Sequence, residues 1–297
     1  MGLASAVKMP VGAALLLDLA PPERRQSVLA LNYTVLSVAY TLAVSPAGYI
    51  AEQGYGLLAA SSAAGYLLVA ALYGFGLRGP LPMEVSQRES VTRATLSVSR
   101  DRVFLGFAAV AFVFPFSMGL VVTASPLFAT QSGLGEGFIG LVLGLNSIVV
   151  ALLALPVAAR MEGPGPFRML GAAALLVAAC FACYAWIPQV GTALIVGTIV
   201  FSFGELVFSS AVPAAVARLA PAGRRGAYQG GWTLVSSFSM GSALFVSGLL
   251  RDAAGWRSAW AIYCALLVLA AALLFLSRTS FKSVSDSRNV TRSSVSA

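Results

Sequence analysis

Two charged residues stand where charge is costly. Lys8 lies in the apolar run 1–20 and Glu205 in the apolar run 191–219. An ionisable side chain inside a bilayer is expensive and usually faces a partner, a cavity or an ion path. A carboxyl withdrawn from water holds its proton more readily, so Glu205 is a candidate for taking up a proton or attracting a cationic substrate. Lys8 is a candidate partner for it, or an anion site. The competing structural roles are a hydrogen bond to a neighbouring helix for Glu205 and snorkelling from a frayed first helix for Lys8. Asn146, in the run 137–159, is able to hydrogen-bond across helices. Phe112 and Phe116 recur at i and i+4, with Gly119 at i+7. They form either an aromatic wall for a lipophilic substrate or a packing stripe. Pro115 between them predicts a kink.

Other chemistries lack their residues. There is no histidine, which removes the commonest metal ligand and general base. Cys180-Phe-Ala-Cys183 has redox spacing but sits in an apolar run without a strand–turn context, and with Cys264 it reads as packing. No Gly-x-Ser-x-Gly elbow, acidic metal cluster or phosphate-binding glycine loop occurs. The chain reads as no enzyme, with no cofactor and no metal.

The elements that must position these residues follow from composition. Of 297 residues 58% are hydrophobic and 10% charged, with a mean hydropathy of +0.85. Soluble domains carry about 25% charged residues, so the solvent for this surface is lipid. The net charge of +8 does not indicate a nucleic-acid partner, because the basic residues lie between apolar spans rather than on one soluble face. A bilayer crossing needs about 20 apolar residues. Nine spans are predicted, at 1–20, 27–51, 56–77, 103–129, 137–159, 168–187, 191–219, 227–250 and 258–276. Lys8 interrupts the first run and no cleavage site follows, so it reads as a span rather than a signal peptide.

Charge sets the expected orientation. With the connector at 21–26 cytoplasmic, alternate connectors are cytoplasmic too. Of the 19 Lys and Arg, only Arg251 and Arg257 then fall on the opposite side, and Lys8 lies within a span. Such bias follows the positive-inside rule. It predicts a multi-pass protein of the cell (inner) membrane with a cytoplasmic C-terminus.

An internal repeat is written in the chain. Leu19-Ala20-Pro21-x-x-Arg24-Arg25 matches Leu219-Ala220-Pro221-x-x-Arg224-Arg225 at an offset of 200. In the same register Val35 meets Val235, Ser37 meets Ser237, Ala43 meets Ala243, Gly48 meets Gly248 and Glu52 meets Asp252. Six spans separate the copies, so both have one orientation. That is a parallel repeat of the kind found in transporters built from two six-helix halves. By this register, three helices and the outer part of a fourth would precede Met1. The predicted layout is a partial N-terminal bundle of three helices at 1–77, a cytoplasmic linker at 78–102, a six-helix bundle at 103–276 and a disordered cytoplasmic tail at 277–297. Arg24, Arg25, Arg224 and Arg225 are expected to cap helix C-termini, bind lipid headgroups or latch one conformational state. Gly137, Gly140 and Gly144 offer a small-residue face for close helix approach.

Residues 1–276 resemble the major facilitator superfamily, within it the bacterial drug–proton antiporter-like branch, as if starting at the fourth of twelve helices. Gly204-Glu205, then Pro213, then Ala220-Pro221 and Arg225-Gly226-Ala227-Tyr228-Gln229-Gly230, is similar to a string of that branch. Asp18, Pro21 and Arg24-Arg25 resemble the loop after its fourth helix. Ser45-Pro46-Ala47-Gly48 resembles a degraded antiporter motif, with Ser45 replacing a glycine. The loop Ala158-Ala159-Arg160-Met161-Glu162-Gly163 keeps one arginine of the family's strongest loop signature and little else. The resemblance implies an incomplete two-bundle all-α fold in which the helices of Lys8 and Glu205 line a central cavity. It implies a secondary transporter of small molecules working by alternating access, with protons as the candidate coupling ion and efflux as the candidate direction. The partners are then the lipid bilayer and a small-molecule substrate. The alternative is a non-transporting membrane scaffold or inactive fragment.

Overall fold

The computed structural model describes residues 35, 38–40, 42, 43, 46–76, 98–160, 165–221 and 224–276. Lys8, Arg24, Arg25, the run 1–20, most of the segment 78–102 and the tail 277–297 lie outside these residues. The described chain is α-helical, and its labelled helices are α1 (Tyr55–Gly76), α2 (Arg102–Ala111), α3 (Val113–Gln131), α4 (Glu136–Arg160), α5 (Pro166–Trp186), α6 (Val190–Leu219) and α7 (Arg225–Leu276). Residues 46–53 form a further helical stretch before α1.

Six stretches among the described residues are long and apolar enough to cross a membrane. The last, Gly226–Leu276, is 51 residues long. At about 1.5 Å per residue that exceeds twice the roughly 30 Å hydrocarbon core. It breaks at Gly255, whose φ of 76° and ψ of 166° are non-helical. The segments 225–254 and 256–276, here α7a and α7b, therefore correspond to two predicted spans. The predicted spans at 56–77, 103–129, 137–159, 168–187 and 191–219 correspond to α1, α2 with α3, α4, α5 and α6.

The break between α2 and α3 falls at Phe112, three residues before Pro115. Proline has no N–H to give the carbonyl four residues back, so the ladder is interrupted where the kink was predicted. Asp101 starts α2 by accepting from the backbone N–H of Val103 and Phe104, at 3.0 and 3.2 Å. The linker predicted at 78–102 thus ends inside the bundle, since Val98 is also buried.

One core joins α2 to α7. Most of it is aromatic and small: Phe128, Phe181, Tyr184, Trp256, Trp260 and Tyr263 form one connected ring cluster between α3, α5 and α7b. With lipid outside, packing and interhelical hydrogen bonds hold such helices together rather than escape from water. A glycine break recurs in both copies of the repeat, one residue out of its register. Gly54, φ 141°, separates 46–53 from α1 as Gly255 separates α7a from α7b. The two copies then differ in surroundings. Leu267 is fully buried and its repeat mate Leu67 is 72% exposed, because α7b packs on α5 while α1 has no extensive contact with the described helices.

Candidate functional site

Glu205 sits at the centre of α6, 15 residues from Val190 and 14 from Leu219. That is about 21–22 Å from either end. The helix turns this residue toward α4 through the glycine before it. A Cβ on Gly204 would fall 2.8 Å from Val177 Cγ2 and 3.2 Å from the Ala173 carbonyl oxygen, so that position must lie against α5. One residue on, about 100° around the helix, Glu205 faces away from α5.

There it meets Asn146. The Asn146 amide donates to Glu205 Oε2 at 2.9 Å and to Ser202 Oγ at 3.0 Å. Ser202 is fully buried and its hydroxyl donates to the Thr198 carbonyl oxygen at 2.8 Å. Thr198 shares a hydroxyl–hydroxyl contact of 3.4 Å with Tyr184 of α5. Thr198, Ser202 and Glu205 recur at i, i+4 and i+7, one polar stripe on α6. Glu205 and Asn146 are both half-buried. Tyr40, from the segment ahead of α1, lies within electrostatic reach of Glu205. A charge-assisted bond from an amide to a carboxylate is stronger than a neutral one, and here it ties α4 to α6 at midspan.

The other candidates go elsewhere. The Phe112 and Phe116 rings lie 6.4 Å apart. Phe112 meets Phe238 of α7a at 6.4 Å and Phe116 meets Tyr263 of α7b at 5.8 Å. Ser239 donates to the Phe112 carbonyl at 2.5 Å, and a Cβ on Gly119 would stand 2.6 Å from that of Ala243. The stripe therefore serves the α3–α7 contact, and its rings stack on other rings rather than around Glu205. Pro46 is exposed in the helical stretch 46–53, two residues before Gly48, which crosses closely over α4.

Arg224 and Arg225 stand at the start of α7 rather than at a helix C-terminus. The last turn of α6 carries Arg218 instead. The motif's neighbouring residue Tyr228 has a defined role: its hydroxyl donates to Asp101 Oδ2 at 2.6 Å, joining the α7 start to the cap of α2. Gln229 Nε2 donates to the Pro213 carbonyl at 3.2 Å. Ser202, Thr198 and Tyr40 were missed from sequence. The first two were legible as helical-period neighbours of Glu205; nothing local marks Tyr40.

Apolar crossings around a midspan carboxylate held by an amide define a polytopic membrane protein. The Major Facilitator Superfamily profile matches residues 1–193 and 107–296. The chain belongs to that superfamily and is a secondary membrane transporter by family. Comparison with curated proteins and with solved structures finds no match.

Proposed function

We propose that the chain moves small molecules across the cell membrane by alternating access, exchanging them for protons at Glu205 in the direction of efflux. The observation that supports this most is the bond from Asn146 on α4 to Glu205 on α6. A carboxylate at midspan changes charge when a proton binds, and the Asn146 amide, shared with Ser202, meets it as a donor. Protonation weakens that bond and loosens α4 from α6. Proton binding is thereby coupled to helix packing, which is what exchange requires. Glu205 and Asn146 are only half-buried, and Tyr40 lies within electrostatic reach of the carboxylate. The absence of a phosphate-binding glycine loop from the sequence agrees with transport driven by a gradient rather than by direct nucleotide hydrolysis.

The test is a proteoliposome assay with an imposed proton gradient and a panel of lipophilic dyes. Gradient-driven dye movement by the parent chain, lost in Glu205→Gln, is expected. Equal gradient-driven movement by both proteins overturns the role of Glu205. A correctly inserted parent chain that moves none of the panel favours the scaffold reading instead.

A further inference from the structure

A second contact between distant parts of the chain lies at the N-terminal end of α4. A Cβ on Gly48 would fall 2.6 Å from the Glu136 carbonyl oxygen and 3.0 Å from Gly140 Cα, so the stretch 46–53 and α4 touch backbone to backbone. Glu52 Oε1 accepts from the Gly137 backbone N–H at 2.6 Å. The Tyr49 ring lies beside Gly137, its Cε1 3.1 Å from the place a Cβ would take. The Tyr55 hydroxyl donates to Glu136 Oε1. The first N–H groups of a helix have no partner within it, and the helix dipole favours an anion there. Here the anion comes from outside the helix, 85 residues away in sequence.

The composition of this contact differs from that of the bundle core. Trp260, Phe181 and Leu267 are fully buried where α5 meets α7b. At the α4 end, Glu52 is exposed, Tyr49 is 54% exposed and Tyr55 67%. A glycine crossing and a few exposed polar groups, with no large buried side chain, open at low cost. The same helix then carries the signal inward. Gly137 and Asn146 are nine residues apart on α4, about 14 Å, so displacement of its first turns reaches the residue that holds Glu205.

We propose that Glu52, bonded to the start of α4 beside the Gly48–Gly140 crossing, is a latch that holds this face of the protein closed, and that α4 transmits its release to the Asn146–Glu205 pair. The proposal rests on the transporter reading for its purpose, but the latch itself is measurable without transport. Tyr40→Cys is the reporter, since residue 40 lies by Glu205 and away from the latch. Membrane vesicles of both orientations are treated with a membrane-impermeant thiol reagent, and labelling at residue 40 is read by mass spectrometry. Gln53→Cys, in a separate protein, identifies the vesicle orientation that presents the Glu52 face.

Glu52→Gln in the reporter background is expected to raise labelling from the Glu52 face about two- to fivefold, the range for losing an exposed anion at a helix N-terminus. Gly48→Ala, which forces the crossing apart, is expected to raise it at least as much. Unchanged labelling from that face in Glu52→Gln, with the protein monodisperse in detergent, overturns the latch. If Gly48→Ala does not fold, Glu52→Gln decides alone. The liposome assay on Glu205→Gln separates the two proposals: undiminished gradient-driven movement overturns the role of Glu205 and leaves the Glu52 labelling result standing, while unchanged labelling in Glu52→Gln overturns the latch and leaves the Glu205 result standing.

Discussion

The bond between Asn146 and Glu205 can be tested as an energy. Asn146→Ala, Glu205→Ala and the double variant form a thermodynamic cycle, each measured by unfolding in mixed detergent. Hydrogen bonds between membrane helices average about 0.6 kcal/mol and reach about 1.7 kcal/mol. A bond to a charged group is worth about 1.5–3 kcal/mol in soluble proteins. The distance here, 2.9 Å, is ordinary for a charge-assisted bond. Glu205 is half-buried rather than sealed from water, which lowers the value. A coupling energy of about 1–1.5 kcal/mol is expected between the two positions. The second arm replaces Glu205 with Gln, which keeps an acceptor and removes the charge. In that arm the coupling to Asn146 is expected to fall to about 0.6 kcal/mol, the neutral value. Asn146 also donates to Ser202, so Ser202→Ala serves as the control that isolates the shared amide. Coupling below about 0.3 kcal/mol in the Ala cycle, within the error for independent sites, would refute the pairing. Equal coupling in the Glu and Gln arms would show that charge plays no part in it, and would remove the argument for proton control of the α4–α6 contact.

Three further outcomes follow from packing and caps. Gly204→Val places a branched side chain against Val177 and the Ala173 carbonyl. It is expected to lower stability by about 1–3 kcal/mol, the usual cost of overpacking, and to abolish transport by moving Glu205, as read by detergent melting and the liposome assay. Tyr228→Phe removes the donor to Asp101 and is expected to cost about 1.5–3 kcal/mol, the worth of a bond to a charged acceptor; a melting midpoint equal to the parent's would show that the contact contributes nothing. Thiol labelling of Asp252→Cys and Arg224→Cys in oriented vesicles is expected on opposite faces. Labelling of both from one face would overturn the orientation read from the basic residues.

Much of the architecture is legible because lipid imposes a simple rule. A helix must be about 20 apolar residues long, and turn residues and charges collect between such helices. The runs from 56 to 276 therefore announce their helices, and the break of α7 at Gly255 falls in the connector between two predicted spans. Pro115 foretold the division of α2 from α3 because its missing donor is a covalent fact. Glu205 was visible for a similar reason: a carboxylate in a 30-residue apolar helix has no cheap explanation. The repeat was visible as matching letters 200 residues apart.

What met what was not legible. In a soluble helix the period of apolar residues says which face is buried. Helices in lipid are apolar on every side, so that period vanishes and rotation about the axis is left open. Asn146, Phe112 and Phe116 stood as equal candidates in the sequence. Only the docking of α4 on α6 brought Asn146 to Glu205, and only the docking of α3 on α7 turned Phe112 and Phe116 into packing. Glu52 read as a loop acid until the fold set it at the start of α4. The sequence by itself determined that this chain lives in a membrane, how its helices are punctuated and that the carboxylate of Glu205 stands at the middle of a long apolar helix. The tertiary structure decided its partners, because a contact across 59 or 85 residues depends on how helices are turned and paired, and small residues such as Gly204 and Gly48 set that turn only when a neighbour lies against them.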